Sequence, residues 1–349
     1  MPSETDVLVI GGGPAGLAAA LAARQAGFDV VLADRAQPPI DKACGEGLMP
    51  DALAALRQIG VDLRSEHGSP FRGIRFLDDK LEAEASFPNG SFGLGVRRTE
   101  LHQILASRAK DVGVVALWGT KIEGLDPTGV IIGGRTIRSR WIVGADGFHS
   151  RVRQWAGFAP PVWNGVRRIG LSRHYRVRPW TDFVEVYWRK ECQAYVTPTG
   201  ESEVCVAMVG SKESGASDLT DMFPALASHL IGAKLIGPTR GAISMSVKLS
   251  SVISGRVALV GDASGSVDAV TGEGLGLAFR QANCVATALA AGDLKRYDIS
   301  HRRMARMPRL MARTLLLLDG SDSLRRMAFR KLAAHPRIFS SLLAVHVGA

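Results

Sequence analysis

Residues 6–34 read DVLVIGGGPAGLAAALAARQAGFDVVLAD, and this stretch decides the fold. Asp6–Ile10 is an apolar run of buried-strand type that ends at Gly11-Gly12-Gly13-Pro14-Ala15-Gly16. Leu17–Ala26 then has the alanine-rich composition of a helix, and Asp29–Ala33 is a second buried strand closing on Asp34. Strand, helix and strand in this order predict a βαβ unit opening a parallel sheet. The glycines have separate duties: Gly11 permits the tight turn, Gly13 lets the backbone approach a pyrophosphate, and Gly16 lets helix and strand pack closely. With Pro14 and Ala15 they lead into a helix N-terminus, where free N–H groups and the dipole favour a diphosphate. Asp34, followed by Arg35, is placed to accept from ribose hydroxyls. The unit predicts a dinucleotide site and by itself leaves FAD and NAD open.

Outward from this unit, Ala43–Met49 (ACGEGLM) is a glycine-bearing loop before a predicted helix at Asp51–Ile59. Ile74–Ala85 and the stretch to Leu94 read as strands of a smaller sheet, and Thr99–Ala109 as a helix. Short strands at Val114–Trp118, Lys121–Leu125, Val130–Ile132 and Thr136–Ile137 suggest a meander. Trp141–Val143 returns to the parallel sheet and ends at Gly144-Ala145-Asp146-Gly147. Alternating runs between Arg167 and Val247, such as Phe183–Trp188 and Val204–Val209, predict a second, largely antiparallel sheet crossed by a helix at Ala216–Ile231. Val257–Val260 is one more buried strand, ending at Gly261-Asp262, and Gly272–Ala291 is a long helix. The fold class is therefore α/β. Residues 1–73, 95–160 and 248–292 form a discontinuous nucleotide-binding domain, 74–94 and 161–247 a substrate domain, and 293–349 a basic helical region.

Three fingerprints occur in order: GGGPAG at 11–16, GADGFHSRVR at 144–153 and GDASG at 261–265. With them the chain resembles the glutathione-reductase-type flavoproteins, in the branch shared by FAD-dependent aromatic-ring hydroxylases and geranylgeranyl reductases, from residue 6 to about 291. The resemblance implies a Rossmann-like FAD-binding domain with an inserted antiparallel-sheet substrate domain, FAD as cofactor and NAD(P)H as reductant. It gives Asp146, with Gly147, a part in supporting the FAD and the nicotinamide path, and Asp262, with Gly261, a contact to the ribitol chain. The run VRRTEL matches the family's Arg-x-x-Leu and makes Arg98 an FAD contact. A helix starting at Gly272, followed by Gly274 and Leu275, would point N–H groups at the pyrimidine edge of the flavin and stabilise negative charge there. Cys44 and Gly45 belong to the same expected cofactor shell.

The reaction is divided between two readings. GADGFHSRVR resembles the hydroxylase version, whereas Gly265, Ala269 and Gly276 stand where hydroxylases carry His, Pro and Asn. GDASG, Thr271-Gly272-Glu273-Gly274 and Cys44-Gly45-Glu46-Gly47 resemble the reductase branch, although that branch too has a proline where Ala269 stands. The C-terminal half resembles flavoproteins associated with phenolic-lipid pathways, and a phenol suits a flavin hydroperoxide, so hydroxylation of an aromatic or phenolic lipid is favoured over reduction of lipid alkenes. Candidate catalytic residues are Cys44, Glu46 and Asp268. Cys44 and Glu46 each have a plain structural alternative: a small residue in a tight loop, and an acceptor for backbone N–H groups. His149 beside Ser150 suggests helix capping, and His102 and His174 carry no pattern.

Composition narrows the class. Of 349 residues, 46% are hydrophobic and 22% charged, as in a well-cored globular protein. The four cysteines (Cys44, Cys192, Cys205, Cys284) form no CxxC pair, which predicts neither disulfide framework nor metal site. No basic n-region precedes the first apolar run, so the expected location is cytoplasmic. The net charge of +10 is local: from Lys295 onward 12 Lys/Arg face 3 Asp, a net +9. Basic residues are not interleaved with aromatics over a domain face, so no nucleic-acid partner is expected. Met304–Leu318 and Ser323–Val347 instead allow amphipathic helices with a cationic face, which could cap the fold or touch an anionic membrane or an acidic carrier protein while a hydrophobic small molecule is delivered.

Overall fold

The computed structural model describes residues 1–78, 81–211 and 219–348. Its central sheet has eight strands. β1 (Glu4–Ile10) pairs in parallel with β2 (Val30–Asp34) on one side and β11 (Arg135–Gly144) on the other. β2 continues to β8 (Val115–Trp118), β11 to β18 (Val257–Leu259), and β18 to the short β17 (Ile253–Ser254). β9 (Ile122–Leu125) and β10 (Gly129–Ile132) extend β11 as an antiparallel ribbon. Val7, Leu8 and Val9 are fully buried because helices cover both faces.

The expected meander is therefore only partly present. Val115–Trp118 joins the parallel sheet beside β2. Its apolar pattern could not say which sheet it enters. Thr136–Ile137 and Trp141–Val143 belong to one continuous strand, because β11 changes neighbours midway and its polar middle, Arg138-Ser139-Arg140, alternates outward.

A seven-stranded sheet runs β16 (Lys234–Lys248), β12 (Val162–Arg176), β15 (Glu203–Gly210), β14 (Cys192–Gly200), β13 (Val184–Arg189), β5 (Gly73–Asp78) and β6 (Leu81–Ser86). It is antiparallel except where β5 meets β13. A small third sheet, β3 (Gly47–Leu48), β7 (Gly93–Gly95) and β4 (Ser69–Phe71), lies where the two large ones meet.

Around the central sheet pack α1 (Pro14–Gln25), α2 (Pro50–Gln58), α3 (Arg98–Asp111), α4 (Arg151–Trp155) and α7 (Gly274–Ala290). The helix expected at Ala216–Ile231 is two short ones, α5 (Leu219–Met222) and α6 (Pro224–His229); residues 216–218 lie outside the described residues. Pro224 opens the second, since proline suits the first turn of a helix and not its interior. Leu219, Phe223 and Leu226 bury against Tyr187, Val196 and Val206 of the seven-stranded sheet.

α8 (Leu294–Met304), α9 (Arg306–Asp319), α10 (Asp322–Ala334) and α11 (Pro336–His346) complete the chain. The last two span the stretch expected to be amphipathic and helical at Ser323–Val347, divided at His335-Pro336. Phe329 of α10 and Phe339 of α11 both pack on Phe76 of β5, so the C-terminal helices cover one end of the seven-stranded sheet.

Candidate functional site

Parallel α/β sheets bind ligands outside the carboxyl ends of their strands. Here β1, β11 and β18 end side by side, each delivering a glycine-bearing turn. Ala145 N–H donates to Ile10 O at 2.7 Å and Val260 N–H to Gly144 O at 2.9 Å. Gly11 has φ +111°, and a Cβ there would lie 2.3 Å from Ala145 O. Gly261 has φ +59°, and its Cβ would lie 2.7 Å from that of Ala15. The three fingerprints, each more than 100 residues from the next in sequence, thus converge at one crevice because side chains were removed where their backbones meet.

Within the first turn the glycines divide as their spacing suggests. A Cβ on Gly16 would sit 1.8 Å from Gly11 O, so this position packs helix on turn. A Cβ on Gly13 would meet nothing within 4 Å, so this position faces open space. No side chain caps α1, and its first turn carries Pro14 but no acid. Asp34 receives Gly12 N–H at 2.6 Å and Ala36 N–H at 2.7 Å. It ties the end of β2 to the turn, a bracing duty beyond the expected contact with a ribose. Arg35 beside it is exposed. His102, which no sequence pattern singled out, is fully buried and donates Nε2–H to Gly12 O at 2.9 Å. It lies one helical turn beyond Arg98, on the same face of α3, and that i, i+4 spacing was the signal available.

Asp146 accepts from Arg151 N–H at 2.6 Å and Val152 N–H at 3.1 Å, bracing the start of α4, whose N-cap is Ser150. Its other oxygen, Oδ1, is buried without a partner among the described residues. His149 is exposed. Asp262 stays solvent-exposed, yet surrounding protein desolvates its carboxyl and pushes its pKa up, against the pull of Lys42, Arg98 and Arg153. Exposure together with desolvation describes a residue lining a deep crevice, here one with three cations around it. Arg98 is nearly buried, and its Nε has no partner among the described residues.

The loop Cys44–Gly47 forms the next wall. Glu46 adopts φ +60°, unusual for a side-chain-bearing residue. Its Oε1 accepts Arg98 N–H at 2.8 Å, and its Oε2 lies 2.7 Å from His174 Nε2 on β12. The loop is thereby bolted to both sheets. Cys205 on β15 donates to Cys44 O at 3.5 Å, and burial pushes both thiols up. Glu46, His174 and Cys205 bring three metal-type donors within 4.8 Å. Ligands sharing a tetrahedral zinc would stand about 3.3 Å apart. The 2.7 Å Glu46–His174 contact is instead a hydrogen bond.

The third expected catalytic residue, Asp268, has a different place. It is 1% exposed, bonds Arg168 at 3.1 Å and accepts Val270 N–H at 3.0 Å. Arg168 also reaches Gln193 and Val209 O, and Asp319 of α9 lies 3.5 Å away. Asp268 anchors the loop leading to α7 within a buried network and is not open to a reacting group. Gly272 closes that loop with φ +69°, so α7 starts at Gly274 and not at Gly272. No side chain caps α7, and a Cβ on exposed Gly274 would meet nothing within 4 Å, whereas Leu275 is half-buried. Glu273, at the N-cap, is buried with its Oε1 3.3 Å from His346 Nδ1 of α11, a contact without a sequence signal.

An elongated dinucleotide with an anionic centre fits this crevice: two uncapped helix N-termini, two glycines facing open space, an unpartnered guanidinium nitrogen and a cluster of cations. The family described as "FAD binding domain" matches residues 4–292. Menaquinone reductase of Mycolicibacterium smegmatis is 29% identical, the match covering 85% of this chain and 79% of that protein. Digeranylgeranylglycerophospholipid reductase of Methanocella arvoryzae is 27% identical over 86% and 84%, and aurachin C monooxygenase/isomerase of Stigmatella aurantiaca 26% over 78% of each. A flavoprotein/dehydrogenase from Cytophaga hutchinsonii has the same fold, with a TM-score of 0.83 and 21% identity across 97% of this chain and 92% of that one. The chain belongs to the FAD binding domain family and is an FAD-dependent oxidoreductase.

Proposed function

We propose that this protein reduces carbon–carbon double bonds of a hydrophobic, isoprenoid-type lipid, drawing electrons from NAD(P)H. The observation that carries this reading is the similarity of most of the chain, both sheets included, to reductases whose names specify menaquinone and digeranylgeranylglycerophospholipid. Hydroxylation, the reading favoured by the resemblance of the C-terminal half to phenolic-lipid flavoproteins, is matched by the aurachin C enzyme at lower identity and coverage. The departures at Gly265 and Gly276 from the hydroxylase pattern point the same way.

FAD, when bound, supplies a carrier for two electrons. The chain's own residues do the rest. The N-terminus of α1, with Gly13 open, and the cations Lys42 and Arg98 would hold the diphosphate, while Asp262 and the N-terminus of α7 would orient the remainder. Saturating a double bond also consumes protons. The Glu46–His174 pair holds one on the buried Oε2···Nε2 hydrogen bond of the loop that lines the crevice. The cluster of Met49, Phe71, Phe87, Phe339 and Leu343 beside that loop keeps water away from it.

The test is an anaerobic incubation of the NADPH-reduced protein with a prenylated naphthoquinone and with a geranylgeranyl lipid, read by mass spectrometry. The expected product is heavier by two hydrogens per bond reduced. Turnover that requires oxygen and yields a product one oxygen heavier would replace reduction by hydroxylation.

A further inference from the structure

The C-terminal helices carry a surface that a solvated cap does not need. On α9, positions 306, 307, 310, 313 and 317 recur at helical spacing and share one outward face. Leu310 is 56% and Leu317 66% exposed there, beside exposed Met307, Arg306 and Arg313. α10 adds exposed Met327 with Arg330 and Lys331, and α11 adds Ile338 and Leu342 with Arg337. The three helices are in mutual contact. Beyond residue 300 the sequence holds only two carboxylates. Asp319 is buried near Arg168, and Asp322 pairs with Arg325 at 2.7 Å. The outward face is thus apolar and cationic with no free acid to balance it.

We propose that α9, α10 and α11 dock this protein onto an anionic phospholipid surface, with the aliphatic side chains entering the headgroup layer and the arginines meeting lipid phosphates. Charge complementarity selects the occupant: arginine and lysine interleaved with methionine and aliphatic residues on short helices is the pattern of interfacial helices. A protein partner would call for aromatic anchors. These helices have none to offer, because Phe329 and Phe339 point inward and no Trp or Tyr follows Tyr297. Among the described residues no helix is long and apolar enough to cross a membrane, so the contact is peripheral.

The placement gives the docking a purpose. α11 exposes Ile338, Leu342 and Val345 outward, while its inner side buries Phe339, Leu343 and Val347 against Met49 and Phe71, and His346 meets Thr271 O at 3.2 Å. One helix, about 10 Å thick, separates the outward face from the loop before α7. A lipid drawn from the bilayer would enter beside that helix without crossing water.

Flotation of the holoprotein with vesicles tests this independently of which reaction is catalysed. Phosphatidylcholine vesicles containing phosphatidylglycerol should carry the wild type upward at low salt, and about 1 M salt should release it. Pure phosphatidylcholine should bind at least about tenfold less. The double variant Leu310→Ser/Leu317→Ser should lose flotation while keeping bound-flavin absorbance and turnover of a water-soluble, short-chain analogue. A wild type that never floats with anionic vesicles overturns the proposal, as does a variant that floats like the wild type. Binding to an acidic carrier protein without flotation would assign the face to a protein partner and overturn it equally.

Discussion

At the scale of single residues, Gly13 and Gly16 separate cofactor binding from folding within one turn. Gly13 has φ −68°, which alanine adopts freely, and open space where its Cβ would go. Gly13→Ala should leave the melting temperature of the apoprotein unchanged and weaken FAD binding at least about tenfold, roughly 1.4 kcal/mol, because the methyl group occupies the room left for the diphosphate. Gly16→Ala places its methyl 1.8 Å from Gly11 O and should destabilise the apoprotein itself by about 1–3 kcal/mol. Flavin fluorescence titration and apoprotein melting distinguish the two; equal effects of both variants on both readouts would refute this division. A second residue-scale prediction concerns pH. Burial pushes Glu273 up to about 8 from 4.5 and His346 down to about 4 from 6.5. At neutral pH the pair is therefore uncharged, with Nε2–H donated to Thr271 O and Nδ1 facing a protonated carboxyl. Folded Glu273 keeps a proton that the unfolded chain releases between about pH 4.5 and 8, so its contribution falls as pH rises across that window. Folded His346 refuses a proton that the unfolded chain accepts between about pH 4 and 6.5, so its contribution rises there. The two oppose each other up to pH 6.5, and only the fall remains above it. Glu273→Gln should flatten the loss of melting temperature between pH 6.5 and 8; an unchanged slope would show that Glu273 titrates normally.

At the scale of elements, legibility followed how local the determining physics was. The βαβ unit at 6–34 was readable because strand, turn and helix are specified by adjacent residues, and the structure shifts its boundaries by only a few positions. The partner of Val115–Trp118 was not readable, because an apolar tetrapeptide fits either sheet. The start of α7 was misplaced by two residues because the Asp268–Val270 cap and the left-handed Gly272 depend on Arg168, 100 residues away. The same distance problem hid the site's supporting shell. Glu46 was visible as a loop acid, but His174 and Cys205 reach it only through the folding of β12 and β15. Where an element's start is set locally, its energetics are predictable. Ser150 accepts Arg153 N–H at 3.1 Å at the start of α4. Ser150→Ala should cost about 1 kcal/mol in urea unfolding, and Ser150→Asp, which restores the acceptor, should recover most of it.

At the scale of the whole molecule, the question is what makes two large sheets and four C-terminal helices one body. Two of the buried polar contacts that bridge them join the seven-stranded sheet to the C-terminal helices. Arg168 of β12 links Asp268, on the loop before α7, to Gln193 and Asp319 of α9. Arg325 of α10 meets Asp78 of β5 at 2.9 Å, with side chains 3% and 1% exposed. Around the second pair Phe329 packs on Phe76 and Trp188. Buried pairs of this kind add little over an apolar replacement, yet removing Arg325 leaves buried Asp78 to the more distant Arg189, 3.8 Å away. Arg325→Met keeps much of the volume and should destabilise the holoprotein by about 3–5 kcal/mol. Arg325→Met/Asp78→Leu removes both charges and should recover most of that loss. If the helices are integral to the fold, the wild type melts in one calorimetric transition, and Arg325→Met separates an early transition for the C-terminal helices from a later one for the FAD domain. A cost for the double variant equal to that of Arg325→Met alone would instead assign the stability to the arginine's packing. In that case the ion pair would not be what joins the C-terminal helices to the seven-stranded sheet, and the aromatic cluster around Phe329 would carry the connection.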